Sequence, residues 1–361
     1  MFLKLSFCLF LTAITAFAQQ SQPKLFPITS GGRLGYIDST GRQIIPMNFL
    51  AEKTQIIDSK KGLPGQDVFS FSVGDADFNE GIAHVRIPIK FWIFTIGSKP
   101  ALIDETGTII SQTSYNWIGD YSEGLAAVEI PVKIGEYTYQ TEYGFLDKRG
   151  ARAFGKTFEW AGGFSENLAA FLKNGKYGFI NTKGEIVIEP QFDNTGKFKN
   201  KLAPVLKDGK YGFIDKEGKF NIPPKFEFAR EFSDDMFALV MEKGKYGFID
   251  RDGFYFVQPQ FEDAGSFSEG MARVVVNGKA GFVDAKGNIA IPAQFDDAGD
   301  FSGGLAAVKQ NGVWGYINPK GFFFIEPQFT SAQAFKGGLA QVEVRGKMAY
   351  IDKSGKIVWR E

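Results

Sequence analysis

The chain has 361 residues, with 41 Lys and Arg against 41 Asp and Glu, and it is rich in Phe (38), Tyr (12) and Gly (43). Balanced charge gives no electrostatic reason to expect a nucleic acid or an anionic membrane as partner. A single cysteine, Cys8, and a single histidine, His84, leave no disulfide framework and no Cys/His zinc site.

Residues 1–18 read as a signal peptide. Lys4 supplies a positive charge, Leu5 to Phe17 is mostly apolar, and Ala16-Phe17-Ala18 is an A-x-A cleavage site. The apolar run is shorter than the roughly 20 residues a spanning helix needs, and Cys8 lies inside it, too far from the cleavage site for a lipoprotein. Cleavage leaves 40 basic and 41 acidic residues and no cysteine. The expected compartment is the periplasm, the cell surface or the medium of a bacterium. No later stretch is long and apolar enough to span a membrane.

From residue 19 to 361 the chain reads as one tandem array. A signature of Gly, aromatic, aliphatic, Asp or Asn recurs nine times, with Gly three positions after each Asp or Asn. Its polar residues are Asp38, Asp104, Asp147, Asn181, Asp215, Asp250, Asp284, Asn318 and Asp352, and from Asp147 onward they lie 34 or 35 residues apart. A Pro-x-Phe element (Pro190-Gln191-Phe192, Pro327-Gln328-Phe329) and a Phe-Ser-x-Gly-Leu-Ala element (Phe301 to Ala306) keep the same phase.

One unit reads as a three-stranded antiparallel meander. Leu305 to Lys309 is a first strand, and Asn311-Gly312 is a type I′ hairpin turn. Val313 to Ile317 is a second strand. At Asn318-Pro319-Lys320-Gly321 the Asn side chain binds the backbone ahead of it, and the Gly takes a left-handed conformation. Phe322 to Ile325 is a third strand, which Pro327 is expected to end. The Gly of the signature, inside the second strand, leaves room for close approach of a backbone or a ring. One such unit cannot bury a core alone, whereas stacked neighbours can. The expected fold is all-β: nine meanders in an open twisted stack or solenoid. A closed β-propeller-like ring is the alternative, disfavoured because the chain begins and ends with whole units.

The motifs Gly-Lys-Tyr-Gly-Phe-Ile-Asp, Pro-Gln-Phe and Phe-Ser-Glu-Gly resemble those of the WG-repeat, or KWG-repeat, family. The namesake Trp is usually Tyr here (Tyr143, Tyr177, Tyr211, Tyr246), and only Trp314-Gly315 keeps the pair. The resemblance implies a repeat-built, β-rich, often exported bacterial protein, with no family-wide catalytic residues.

The first third breaks the period. An insertion loop is expected over 50–77, holding Lys60 and Lys61, and long-hairpin units over about 78–158 precede regular units over about 159–361. The hairpin tips are expected at Phe91 to Pro100, with Phe91, Trp92 and Phe94, and at Ile134 to Glu142, with Tyr137 and Tyr139. Insertions repeated on one side of an array often mark its binding face, although terminal units also depart from consensus to cap a stack. A binding surface is therefore expected at Phe91, Trp92, Phe94, Tyr137, Tyr139, Lys60 and Lys61.

No catalytic set emerges. His84 takes the place of Ala127 or Ala170 and reads as an ordinary strand residue, and no nucleophile elbow is present. The recurrent Asp is what a tight turn needs, and one carboxylate per turn falls short of the six to eight oxygens calcium takes. No carboxylate spacing singles out a glycosidase pair, and Trp117 and Trp160 read as packing residues. No catalytic, metal or cofactor residue is assigned. The expectation is a non-catalytic binding or scaffolding module of the cell envelope with a protein or glycan partner. The alternatives are a structural envelope protein without a discrete ligand and, less favoured, a carbohydrate-active enzyme.

Overall fold

The computed structural model describes residues 24–50, 77–91, 94–113, 115 and 117–361, with the backbone alone at 90, 91 and 94–97. The leader at 1–18, most of the insertion (51–76) and Trp92 lie outside the described residues.

The described chain is all-β and holds no helix, hence none long and apolar enough to cross a membrane. The strands form separate small antiparallel sheets in chain order, none of them closed. The unit read above from Leu305 onward has strands Ala306–Gln310, Val313–Ile317 and Phe323–Phe329. Asn311 and Gly312 both have positive φ, 52° and 85°, as a type I′ turn demands. In all nine signature turns the Asp or Asn Oδ1 accepts the backbone N–H groups two and four residues ahead, as Asp284 does from Lys286 and Asn288 at 2.9 Å each and Asn318 from Lys320 and Phe322 at 2.9 and 3.2 Å.

The structure adds to the meander in two places. A two-residue strand, such as Asp297–Ala298, pairs with the first long strand and makes the regular sheets four-stranded. Its pairing is too short to show as alternation in a sequence. The third strand also does not end at Pro327. It runs on to Phe329 through a bulge, with Tyr316 opposite Ile325 and Trp314 opposite Phe329. Proline is tolerated because the bulge and the sheet edge need no donor there. This bulge explains the signature glycine. A Cβ on Gly247 would lie 2.6 Å from the Val257 carbonyl and 2.7 Å from the Pro259 nitrogen, and one on Gly315 would meet Ile325 and Pro327 at the same distances. The close approach is therefore by backbone of the same sheet.

The long hairpins are paired further than expected. Ile82–Phe91 and Phe94–Asp104 pair out to Phe91 opposite Phe94, with one register shift between Ile89 and Lys90. Leu125–Lys133 and Tyr139–Asp147 pair out to Lys133 opposite Tyr139. Most of the first expected tip and the Tyr139 to Glu142 part of the second are thus strand, because their aromatic and β-branched residues suit a ladder. The first two units join into one six-stranded sheet through Leu50 opposite Arg86.

The core lies between units. Phe213, Phe226 and Ile222 of one unit cluster with Phe232, Val240 and Ile249 of the next, all buried. The signature aromatic packs edge-on or tilted against the Phe of the following Phe-Ser or Phe-Lys element, with centroids 4.8 to 5.0 Å apart at Phe179–Phe198, Phe213–Phe232, Phe282–Phe301 and Tyr316–Phe335. Each signature turn also seats on the preceding unit, Gly321 against Ile291 and Gly355 against Ile325.

The stack is open in its ladders, since no strand pairs the first sheet with the last. It curves enough for its ends to touch. Phe26, Ile28 and Ile37 of the first unit form one buried cluster with Leu339 and Tyr350 of the last. Tyr350 donates its hydroxyl to the Pro27 carbonyl at 2.9 Å, and its ring lies 5.7 Å from that of Phe26. Gly41 sits against Val358 as Gly321 sits against Ile291, so the first unit seats on the last much as each unit seats on the one before.

Two expectations follow. Gly247→Ala forces the bulged strand away and should destabilise the chain by about 1–3 kcal/mol, read as a lower urea midpoint, whereas Gly244→Ala at an open hairpin tip should cost only its positive-φ strain. Acid should also loosen the turns. Asp104 and Asp352 are held below the usual carboxylate range, first by the hydroxyls of Thr106 and Ser354 and then by backbone donors that outweigh burial. A lowered folded-state pKa gives stability that is present above the ordinary carboxylate pKa of about 4 and is lost as pH falls through the folded value. The thermal midpoint should therefore drop below about pH 4, and less steeply in a D104N/D352N variant.

Candidate binding site

The cavity of interest lies where the first two units meet the last two. It has a volume of about 940 Å³. Phe26, Leu34, Phe335, Leu339 and Trp359 give it apolar walls, and Lys24, Arg86, Lys336 and Lys353 line it with a single carboxylate, Asp77. Lys336 pairs with Asp77. Burial, reinforced by the Lys336 charge and opposed by Asp77, holds the Lys24 ammonium below the usual lysine range. The site is cationic.

One face of this cavity is built from the Phe-Ser-x-Gly elements. Most form a two-residue turn, such as Ser302-Gly303-Gly304-Leu305, closed by backbone bonds between Ser302 and Leu305, whereas the unit with Ser233 uses a longer turn to Phe237. The two central residues of the two-residue turn have positive φ, 65° and 83° at Gly303 and Gly304. Four units nevertheless place Glu at the first of these positions: Glu80, Glu123, Glu166 and Glu269, with φ between 49° and 55°. A left-handed non-glycine residue costs roughly 1–2 kcal/mol, so these side chains offset a real strain.

Their carboxylates link one unit to the next. Glu80 accepts the N–H groups of Glu123 and Gly124 at 2.7 and 2.9 Å. Glu269 accepts those of Gly303 and Gly304 at 2.7 and 2.8 Å. Glu123 and Glu166 accept the N–H groups of Asn167 and Lys201. A lysine just after the signature Asp completes two of these links: Lys148 Nζ lies 3.0 Å from Glu80 and Lys216 Nζ 3.1 Å from Glu166. For Glu80, burial works against ionisation, but Lys148 and the Gly124 and Glu123 amides outweigh it and hold the carboxyl below its usual range. A second link runs in parallel, from the Ser hydroxyl to the next Phe carbonyl: Ser268 to Phe301 at 2.7 Å and Ser302 to Phe335 at 2.5 Å.

Tyr137 and Tyr139, expected from the sequence to form a surface, stand apart from this cavity. Tyr137 and Tyr139 are 87% and 61% exposed at the tip of the second long hairpin. Phe91 and Phe94 face each other in register at the tip of the first, while Trp92, Lys60 and Lys61 lie outside the described residues. Neither Tyr137 nor Tyr139 lines the cavity. From the atypical first third the cavity takes Leu50 and Asp77, which flank the insertion, with His84, Val85 and Arg86. Lys24, Gly303, Lys336, Gly337 and Lys353 went unrecognised in the sequence. The available signal was the replacement of Glu by Gly at 303, within an otherwise intact Phe-Ser-x-Gly-Leu-Ala element, and at 337. Among the described residues no three His, Cys, Asp or Glu side chains gather as a metal site would.

Glu269→Ala should cost about 0.5–1.5 kcal/mol through the two amides it leaves without their acceptor, and hydrogen exchange should accelerate at Gly303 and Gly304 with little change at Gly337 and Gly338.

The repeat model described as "WG containing repeat" matches residues 102–130, 143–177, 177–211, 211–246, 246–279, 281–314 and 314–347. No curated protein matches the sequence. Among solved structures, the crystal structure of a eukaryotic initiation factor is 12% identical over 94% of this chain and 96% of that one, with a TM-score of 0.64. That likeness is one of fold alone. Apo AztD from Citrobacter koseri is 10% identical over 72% of this chain and 91% of that one, with a TM-score of 0.40. Hsv2p from Kluyveromyces lactis is 10% identical over 52% and 72%, with a TM-score of 0.36. Seven in-phase matches, together with the bulge-and-glycine sheet on which each unit is built, place the chain in the WG containing repeat family.

Proposed function

We propose that the protein is exported and acts as a non-catalytic binding or scaffolding module of the bacterial cell envelope, with a protein or glycan partner. The leader-like segment at 1–18 supports export. The observation that carries the binding role is the cavity of about 940 Å³ beside the contact of the end units, lined by apolar walls and several cationic side chains. A constant frame with a concave pocket is what a repeat protein needs to present a site.

Thr29 is an exposed strand residue on the cavity wall. Cross-linked capture from envelope extract by the chain without its leader should give a discrete partner, and Thr29→Trp should reduce that capture at least tenfold with the fold intact by circular dichroism. Capture unchanged by Thr29→Trp moves the site to another surface, the Tyr137 and Tyr139 tip first. No capture by either protein overturns the binding role in favour of a structural one.

A further inference from the structure

The turn-to-turn carboxylate link is missing at the junction between the last two units, as it is where unit five carries Asn200 and bonds the Ser233 carbonyl instead. Unit eight carries Gly303 where its predecessor carries Glu269, so no side chain there reaches the turn Lys336-Gly337-Gly338-Leu339. Other contacts of the junction are kept. Ser302 still bonds the Phe335 carbonyl, and the Tyr316 ring still packs on Phe335. The turn has the same conformation, with φ of 62° and 95° at Gly337 and Gly338. The N–H groups of Gly337 and Gly338 have no acceptor among the described residues. Their counterparts at Gly303 and Gly304 hold the two oxygens of one carboxylate.

The lysine of the link is kept as well. Lys353 follows signature Asp352 as Lys148 follows Asp147 and Lys216 follows Asp215. Its Nζ lies 3.3 Å from the point a Cβ at residue 303 would occupy, and it has no carboxylate partner among the described residues. Lys24 approaches from the first unit, its side chain packed over Gly337. Gly303, Gly337, Gly338, Lys353 and Lys24 all line the cavity described above.

We propose that this junction binds the carboxylate of a small ligand in the place of the missing glutamate side chain. The two ligand oxygens accept the Gly337 and Gly338 N–H groups, Lys353 supplies the opposing charge, and the remainder of the ligand lies in the cavity between the end units. A carboxylate fits better than a neutral group because adjacent amides and an ammonium reward charge. The chain itself shows the fit at Glu80, where two adjacent amides and a lysine hold one carboxylate. This inference rests on the binding role proposed above and names the chemistry of its ligand.

Amide resonances of the 15N-labelled chain can be followed during titration with D-glucuronate, with D-glucose and inorganic phosphate as separate arms. Glucuronate should shift Gly337 and Gly338 saturably, and glucose should not. Lys353→Gln should weaken the glucuronate response about tenfold. Gly303→Glu should supply the carboxylate internally, slow exchange at both amides and abolish the response. Absence of any shift with glucuronate, or a stronger response to phosphate, overturns the carboxylate assignment. Full glucuronate binding by a folded Gly303→Glu protein does so too. If Gly303→Glu does not fold, Lys353→Gln decides alone, and unchanged affinity in it is the overturning result. Envelope capture that depends on Thr29 while glucuronate leaves Gly337 and Gly338 unmoved separates failure of this assignment from failure of the binding role.

Discussion

A sheet made from about 34 residues presents two faces and too little chain to cover either. Its apolar side chains are buried only when another sheet lies against them. Here that burial is made by one recurring contact, the signature aromatic of one unit against the Phe-Ser or Phe-Lys phenylalanine of the next, with ring centroids near 4.9 Å at most junctions. Burying a phenylalanine is worth roughly 1.5–3 kcal/mol, so each junction supplies stability that neither sheet has alone. The units stack because of this contact. The turns, the bulge and the carboxylate links then fix how they stack.

The same constraint accounts for the ends. A linear stack leaves one apolar face uncovered at each terminus, and natural arrays commonly give those faces a polar cap. The first and last units here carry Phe26, Ile28, Leu339 and Tyr350 on those faces, with no polar replacement. They bury the four residues against each other. No shared strand closes the contact, so it depends on side-chain packing and on the Tyr350 hydroxyl. A junction made by packing alone can be left partly unfilled without breaking a ladder, and the cavity sits beside it.

What was legible in the sequence was local. Asn311-Gly312 and the signature Asp-x-x-Gly turns act within a few residues, so their chemistry is written where it acts. The bulge was legible only in part. Pro327 announced a disturbed ladder, but nothing local told a bulge from a strand end. The meeting of Phe26 with Tyr350 was not legible, because it depends on a small rotation summed over every junction, and no residue encodes that rotation. The exposed Tyr137 and Tyr139 stand on a hairpin that the sequence marked as unusual, yet the cavity formed elsewhere. Insertions are conspicuous in an alignment of repeats, whereas a Glu replaced by Gly inside a preserved motif is not.

That replacement has a physical meaning that its conspicuousness does not measure. Glycine is the residue that a left-handed turn position accepts without strain, so Gly303 and Gly337 taken alone look like relaxation to the ideal. Four other units keep glutamate there against roughly 1–2 kcal/mol of backbone strain, which shows that the carboxylate matters more than the turn. Where glutamate is lost, a drifting junction would be expected to lose the rest of the link too. Ser302 and Lys353 remain in their places, and the glycine amides keep the conformation that receives a carboxylate elsewhere in the chain. The last junction therefore lacks the carboxylate that four others have, while it keeps the Ser302 bond and a lysine after the signature Asp. The groups that carboxylate would have served now face the cavity between the ends of the array.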